Sequence, residues 1–194
     1  GELGAAQYID QGISWVASKT GMNNKTVGRI IQHPVDPQIF LAATSGGVYR
    51  STDGGTNWTL TQSGNFKDIH FKPNDAAIVY AAVNSDFYRS SNNGVTFTKI
   101  TSGITAGQRG AIAVSQANPN YVYFLQSDNS SGFKCLYRST DAGLTFTAQS
   151  TSPNILDWSC DGSGTGGQGW YDLAVAADPN NAEVLYVGGV DVWK

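Results

Sequence analysis

Two groups of side chains in this 194-residue chain are of types that do chemistry. The first lies in the stretch 154–171, where Asp157 and Asp161 stand beside Trp158, Trp170 and Tyr171 among many glycines. Flat aromatic faces next to acids suit stacking against sugars. The two carboxylates, with glycine carbonyls, offer the oxygen ligands that calcium takes. The bland reading is a loop packed over the top of the domain and tethered by Cys160 to Cys135. The second group is Arg29, Asp68 and His70, a cation, an acid and a titratable ring set in two short apolar stretches. They either meet at the mouth of a binding channel, or Arg29 and Asp68 form an ion pair that joins neighbouring units. His33 and His70 read as packing or surface residues before they read as bases or ligands. No His or Cys cluster has metal-ligand spacing, no glycine-rich loop leads a strand into a helix, and no Ser, His and Asp set stands out as a triad. The residues assign no catalytic group and no metal, and the calcium reading rests on the 154–171 loop alone.

The elements that must position these residues are short strands. Hydrophobic residues make up 40% of the chain, enough for a sizeable core, while only 14% are charged, against a usual quarter. Gly, Ser, Thr and Asn fill the difference. That balance suits an all-β chain with many turns, and it is common in secreted proteins. A net charge of −3 gives no basic footprint for nucleic acid. No apolar run approaches the ~18 residues that a membrane-spanning helix needs. No signal peptide is visible at Gly1, as in a mature or excised chain. Cys135 and Cys160 read as buried thiols, as a disulfide in an oxidising compartment, or as a reactive thiol.

Three segments repeat almost residue for residue: Val48–Trp58, Phe87–Phe97 and Leu136–Phe146. The constant positions are Ser51, Asp53, Gly55 and Trp58; Ser90, Asn92, Gly94 and Phe97; Ser139, Asp141, Gly143 and Phe146. A weaker copy at Tyr8–Trp15 keeps Asp10, Gly12 and Trp15. The Asp or Asn accepts hydrogen bonds from N–H groups of its own turn. The glycine supplies a positive φ at no steric cost. The aromatic turns inward, and burying it stabilises by roughly 1.5–3 kcal/mol. These positions are structural on this reading. So are Arg50, Arg89 and Arg138, which are expected to stack on neighbouring rings.

Upstream of each box lies a second repeated plan, at Ile30 to Phe40, Ile69 to Tyr80, Ile112 to Tyr123 and Leu173 to Tyr186. An alternating stretch turns on Asp, Asn or Pro and leads to a strand that ends in an aromatic. A period of about 40 residues made of such strands reads as an all-β fold, a β-propeller of four-stranded antiparallel blades with hairpin boxes. Blades are expected over 27–63, 66–103 and 109–150, with 7–21 as the outer strand of a preceding blade and 169–194 as a partial blade. Two arrangements stand: an arc of a longer ring whose bare sheet edges need a partner, or a four-bladed ring closed by the N-terminal strand. In the inner strands the side carrying Arg29, Asp68 and His70 is expected to face the channel. The side carrying Ile30, Ile69 and Ile112 is expected to pack between blades. A slip of one residue would exchange them.

The box motif resembles the Asp-box, or bacterial neuraminidase, repeat found in sialidases, sortilin-type receptors, xyloglucan-degrading endoglucanases and photosystem assembly factors. The stretches 169–181 and 186–194 resemble the sortilin-like secreted proteins of Bacteroidetes, many of which carry a tail for type IX secretion. The resemblance implies one fold and several functions. Sialidases of this kind use three arginines, a Tyr/Glu pair and an Asp. Here three of the five arginines belong to boxes, leaving Arg29 and Arg109, and the glutamates are Glu2 and Glu183. The endoglucanases place one of two catalytic aspartates in a stretch matched here by Thr44–Arg50, where Ser45 stands in its neighbourhood. The leading expectation is a non-catalytic, secreted or cell-surface module of a larger polypeptide that binds protein or glycan. The alternative is part of a glycoside hydrolase, endoglucanase- or sialidase-like, with its catalytic residues outside the segment. An assembly factor stands third.

Overall fold

Turn residues punctuate the sequence every few positions, so every strand is short. The computed structural model describes residues 5–9, 14–84 and 86–194, and its regular structure there is all β-strand. A hairpin of β1 (Ala5–Ile9) and β2 (Ser14–Ser18) comes first. The first blade is an antiparallel meander of β3 (Val27–Gln32), β4 (Phe40–Thr44), β5 (Gly47–Ser51) and β6 (Thr59–Ser63). The second contains β7 (Phe66–Lys72), β8 (Asp75–Val83), β9 (Asp86–Ser90) and β10 (Thr98–Ile100). The third contains β11 (Gly110–Val114), β12 (Val122–Ser127), β13 (Phe133–Ser139) and β14 (Thr147–Ser150). A three-stranded sheet follows, of β15 (Ala174–Ala177), β16 (Leu185–Gly188) and β17 (Val192–Trp193). The sheets are set as the blades of a β-propeller, with β3, β7, β11 and β15 innermost.

The second strand of each blade is pressed between neighbouring sheets on both faces. It therefore reads as a continuous apolar run rather than an alternating one. Val79 to Ala82 of β8 and all of β12 are buried, whereas the outer strands β6, β10 and β14 are mostly exposed. The core is divided into seams between blades. Leu41, Ala43 and Val48 meet Phe66, Ile69 and Val79 in one. In the next, Phe87 packs on Phe124 and Phe146 with ring centroids 5.6 and 4.7 Å apart.

Each box closes as its residues dictate. Ser51 Oγ donates to Asp53 Oδ1 and accepts from Gly55 N–H, while Asp53 Oδ1 also accepts from Asn57 N–H. Ser90 with Asn92 and Gly94, and Ser139 with Asp141 and Gly143, repeat the pattern. Two successive residues take positive φ rather than one: Gly54 and Gly55, Asn93 and Gly94, Ala142 and Gly143. Trp58 and Phe146 are buried and Phe97 packs half-buried on its seam. Trp15, in contrast to the anchoring role expected of it, is 66% exposed. Asp10 and Gly12 of that weaker copy lie outside the described residues.

The repeated arginines do not all stack on rings. Arg50 Nε donates to the carbonyl of Asn93, and Arg89 Nε to the carbonyl of Ala142, at 3.0 and 2.8 Å. Each ties its blade to the left-handed residue of the next box. Of the three, Arg138 stands over a ring, that of Tyr121 at 5.1 Å, and it also pairs with Glu183.

The 7–21 segment differs from expectation too, since it supplies two strands rather than one. Trp58 N–H donates to Thr20 O, as Phe146 N–H donates to Ser102 O. The hairpin thus stands to the first blade as the outer end of the second blade stands to the third. It is not hydrogen-bonded to β17, so the N-terminal strand does not complete the last sheet.

Candidate ligand-binding site

The starts of the four innermost strands surround a cavity of about 390 Å³. Gly28, Arg29, Lys67, Asp68, Arg109 and Ala174 are among the residues that line it. Both β3 and β7 carry an irregularity here, between Val27 and Arg29 and between Phe66 and Asp68. Such bulges re-aim the side chains that follow. The two lie against each other: a Cβ on Gly28 would come within 2.9 Å of the Lys67 carbonyl oxygen.

Asp68 is the hub of this wall. Its Oδ1 accepts from Arg29 Nη1 at 2.7 Å and from the Ile69 N–H at 3.0 Å. Its Oδ2 accepts from the Ile112 N–H of the next blade at 2.8 Å. His70 Nε2 stands 3.1 Å from Oδ1 and 2.9 Å from Arg29 Nη1. One carboxylate therefore ties together the inner strands of three blades and satisfies an N–H on the free edge of β11. Burial alone would raise its pKa. His70, the Ile112 N–H and Arg29 outweigh that and bring it down to about 2.

The division of the inner strands into a channel side and a packing side needs correction. The Asp68 side faces the following blade and the Ile69 side faces the preceding one. Blade faces look at blades, and the channel is reached only at strand edges and starts. Hence Ile31, not Ile30, packs into the seam with the second blade, and Ile30 is 42% exposed. His33 uses its Nδ1 to accept from the Val35 and Asp36 N–H groups and sets its ring against Phe71.

The 154–171 loop adjoins the cavity through Arg109. Arg109 Nη1 donates to the carbonyls of Trp170 and Tyr171 at 2.7 and 2.6 Å. Its Nε is buried without a hydrogen-bond partner, and burial pulls the guanidinium below its ordinary pKa. Leu156 anchors the loop by packing with Leu125, Phe133 and Val187. Asn154 staples it: its Oδ1 accepts from Phe133 N–H and its Nδ2 donates to the carbonyls of Gly164 and Gly166. Trp158, Trp170 and Tyr171 are left 58%, 59% and 66% exposed on this fixed backbone.

Two expectations for the loop are corrected. Asp157 is buried, and its oxygens accept from Trp158 and Gly164 N–H groups; Asp161 accepts from Ser163. Both acids close turns of their own loop instead of converging on a cation, and no cluster of three or more His, Cys, Asp or Glu suited to a metal occurs among the described residues. Cys135 and Cys160 are free thiols, one buried in β13 and the other exposed on the loop, so they do not form the tether. The staple is Asn154 and Leu156. Arg109 and Lys67, which complete the cavity, do not stand out as site residues in the sequence. The available signal is that Arg109 is a non-box arginine just ahead of an inner strand.

Residues 49–60 match the BNR/Asp-box repeat. No curated protein matches the chain. Among solved structures, a GH74 enzyme of Niastella koreensis superposes with a TM-score of 0.76 at 19% identity, over 97% of this chain and 32% of that one. The GH74 xyloglucanase of Xanthomonas campestris gives 0.72 at 14% identity, over 99% of this chain and 33% of that one. YCF48 bound to D1 peptide gives 0.57 at 15% identity, over 94% of this chain and 54% of that one. The chain thus spans about a third of the two enzymes and about half of YCF48. At these identities the likeness is one of fold, that of an Asp-box β-propeller.

Proposed function

We propose that the chain is a non-catalytic binding module of a larger secreted or cell-surface protein, of the sortilin-like kind. Its recognition surface for a protein or glycan is the 154–171 loop with the cavity beside it. The observation that carries this reading is the trio of exposed rings, Trp158, Trp170 and Tyr171, on a backbone held by Arg109, Asn154 and Leu156. Large apolar surface kept in water on a fixed loop is the usual form of an interaction site. The cavity's carboxylate, Asp68, supports it from the other side. Both its oxygens are taken up by Arg29, His70 and the Ile69 and Ile112 N–H groups, so it is used as a joint between blades. YCF48 in complex with a peptide is a propeller partnering with protein. Export by the type IX route goes with this reading, and is checked by the protein's presence in the medium and its loss in a secretion mutant.

The test is a screen of the intact protein against glycan and protein ligands, repeated with Trp158 and Trp170 both changed to Ala. Binding should fall at least tenfold. Unchanged binding to every ligand would remove the loop from the site. A second reading follows from the GH74 likeness: part of a glycoside hydrolase whose catalytic residues lie outside these 194 residues. Release of reducing ends from a β-glucan by the intact protein would decide for it.

A further inference from the structure

We infer that His70 is a proton-operated latch at the channel mouth: neutral, it holds Arg29 against the Asp68 wall; protonated, it takes the place of Arg29 on Asp68 and turns the guanidinium out into the cavity. The device belongs to the wall, whatever the cavity binds.

Three polar atoms stand in a triangle. Arg29 Nη1 is 2.7 Å from Asp68 Oδ1, His70 Nε2 is 2.9 Å from Arg29 Nη1, and Nε2 is 3.1 Å from Oδ1. An arginine nitrogen only donates, and an ionised carboxylate oxygen only accepts. His70 Nε2 can therefore satisfy one of these neighbours at a time. With the ring's proton on Nδ1, Nε2 accepts from Arg29 and turns its lone pair toward Oδ1. With a proton of its own, Nε2 donates to Oδ1 and faces Arg29 donor to donor, two positive groups 2.9 Å apart. Gain or loss of one proton decides which neighbour His70 keeps. Imidazoles change charge between about pH 5 and 8. Asp68, whose pKa is brought down to about 2, stays ionised throughout that range.

Which group yields is set by how each is held. Asp68 is buried and fixed by the Ile69 and Ile112 N–H groups. The His70 side chain is 18% exposed. The Arg29 side chain is 46% exposed and borders the cavity of about 390 Å³, so it has both the freedom and the room to turn. The other charged or titratable groups near the ring are engaged or carry no charge to offer. Lys72, on the same strand, pairs with Asp75, and Tyr80 stands opposite His70 on β8. His33, from the end of β3, lies on the other face of β7 against Phe71. Gly110 to Val114 of β11 carries no titratable side chain, and Arg109 ahead of it grips the carbonyls of Trp170 and Tyr171. On protonation Asp68 exchanges one cation for another. The blades stay joined, and the cavity wall changes.

The experiment is nitrogen-15 NMR of the histidine rings and the Arg29 side chain in the intact protein, followed from pH 8 to pH 5. The chain has two histidines, so His70→Gln assigns the signals. At pH 8 His70 should be the Nδ1–H tautomer, with a cross-relaxation peak between its ring and the Arg29 side chain. As His70 titrates, that peak should be lost and the Arg29 Hε should exchange faster with water. Arg29→Met, at a half-exposed position, removes the competing cation, and His70 should then take its proton at higher pH. In His70→Gln the amide accepts from Arg29 and donates to Asp68 at every pH, so Arg29 should stay in place at pH 5. A His70 ring still neutral at pH 5, an Arg29 contact that survives its protonation, or an unchanged titration in Arg29→Met would each overturn the latch, and the first two need no variant to fold. Release of Arg29 at pH 5 in His70→Gln would overturn it too, by assigning the movement to another group.

Discussion

The arginines of the rim and those of the channel mouth occupy the same fold and are used differently. On the rim, Arg50 and Arg89 recur with the box, and each delivers its Nε to one carbonyl in the next blade. Their geometry is repeated because the blade junction is repeated. At the mouth, Arg29 and Arg109 belong to no box, and their contacts differ from each other. Arg29 serves an acid that bridges three strands. Arg109 serves a loop that breaks the spacing. A residue that recurs with the period maintains the period. A residue of the same type off the period is available for what distinguishes this propeller from others.

The sharpest way to break that comparison is at Asp68, which belongs to the mouth but acts as a joint. Asp68→Ala would leave Arg29 and the Ile112 N–H without their acceptor. Besides its half-exposed pair with Arg29, the buried carboxylate holds two charged hydrogen bonds from backbone N–H groups, each worth about 1.5–3 kcal/mol, and thermal unfolding should register a larger loss for it than for any rim arginine. Asp68→Asn keeps the acceptor geometry and should cost less. On the rim, Arg89→Ala removes one charged hydrogen bond between blades, worth about 1.5–3 kcal/mol. If Arg89→Ala proved costlier than Asp68→Ala, the rim rather than the channel wall would be the main tie between blades.

Acid sharpens the same point. Asp68 has its pKa lowered from 3.8 to about 2 on folding. Its contribution to stability is therefore present above pH 4 and is lost as pH falls through about 2. At 1.36 kcal/mol per unit the loss is about 2 kcal/mol. Asp53 and Asp141, held by their own turns, are also lowered to about 2 and titrate in the same window. Denaturant melts at pH 6 and pH 2.5 should show a drop that shrinks, without vanishing, in Asp68→Asn.

The fold was legible because its signals are local. Ser51, Asp53, Gly55 and Trp58 close a turn with partners at most four positions away, except for the ring. The Arg29–Asp68 pairing was also legible as one of two alternatives, since both residues sit at equivalent points of successive repeats. What escaped was non-local or aperiodic. Nothing near Arg109 in sequence says that it grips Trp170 and Tyr171, because the partners are 61 and 62 residues away. Nor does the spacing of Cys135 and Cys160 say that one faces a seam and the other water. Ile30 is exposed because the face it shares with Ile69 and Ile112 looks to the preceding blade, and β1 and β2 are the only described strands ahead of it; the alternation misleads for the Asp68 side, which packs on the following blade instead of lining the channel.

The smallest expected effect tests the box itself. The residue before the box glycine has φ of 69° at Gly54, 58° at Asn93 and 58° at Ala142. Glycine adopts this conformation freely and asparagine tolerates it, but alanine meets a steric cost of about 1–2 kcal/mol. Ala142→Gly removes that cost while leaving the carbonyl that receives Arg89 in place. Against the gain stand the extra freedom of glycine in the unfolded chain, about 0.5–1 kcal/mol, and the loss of a buried methyl, which is worth less than about 1 kcal/mol. The balance should be a stabilisation of a few tenths of a kcal/mol, read as a small rise in the urea midpoint with unchanged slope. A fall instead would mean that the methyl's packing in the seam outweighs the backbone. Ala142→Asn, which restores the side chain found at position 93, would then separate the two terms.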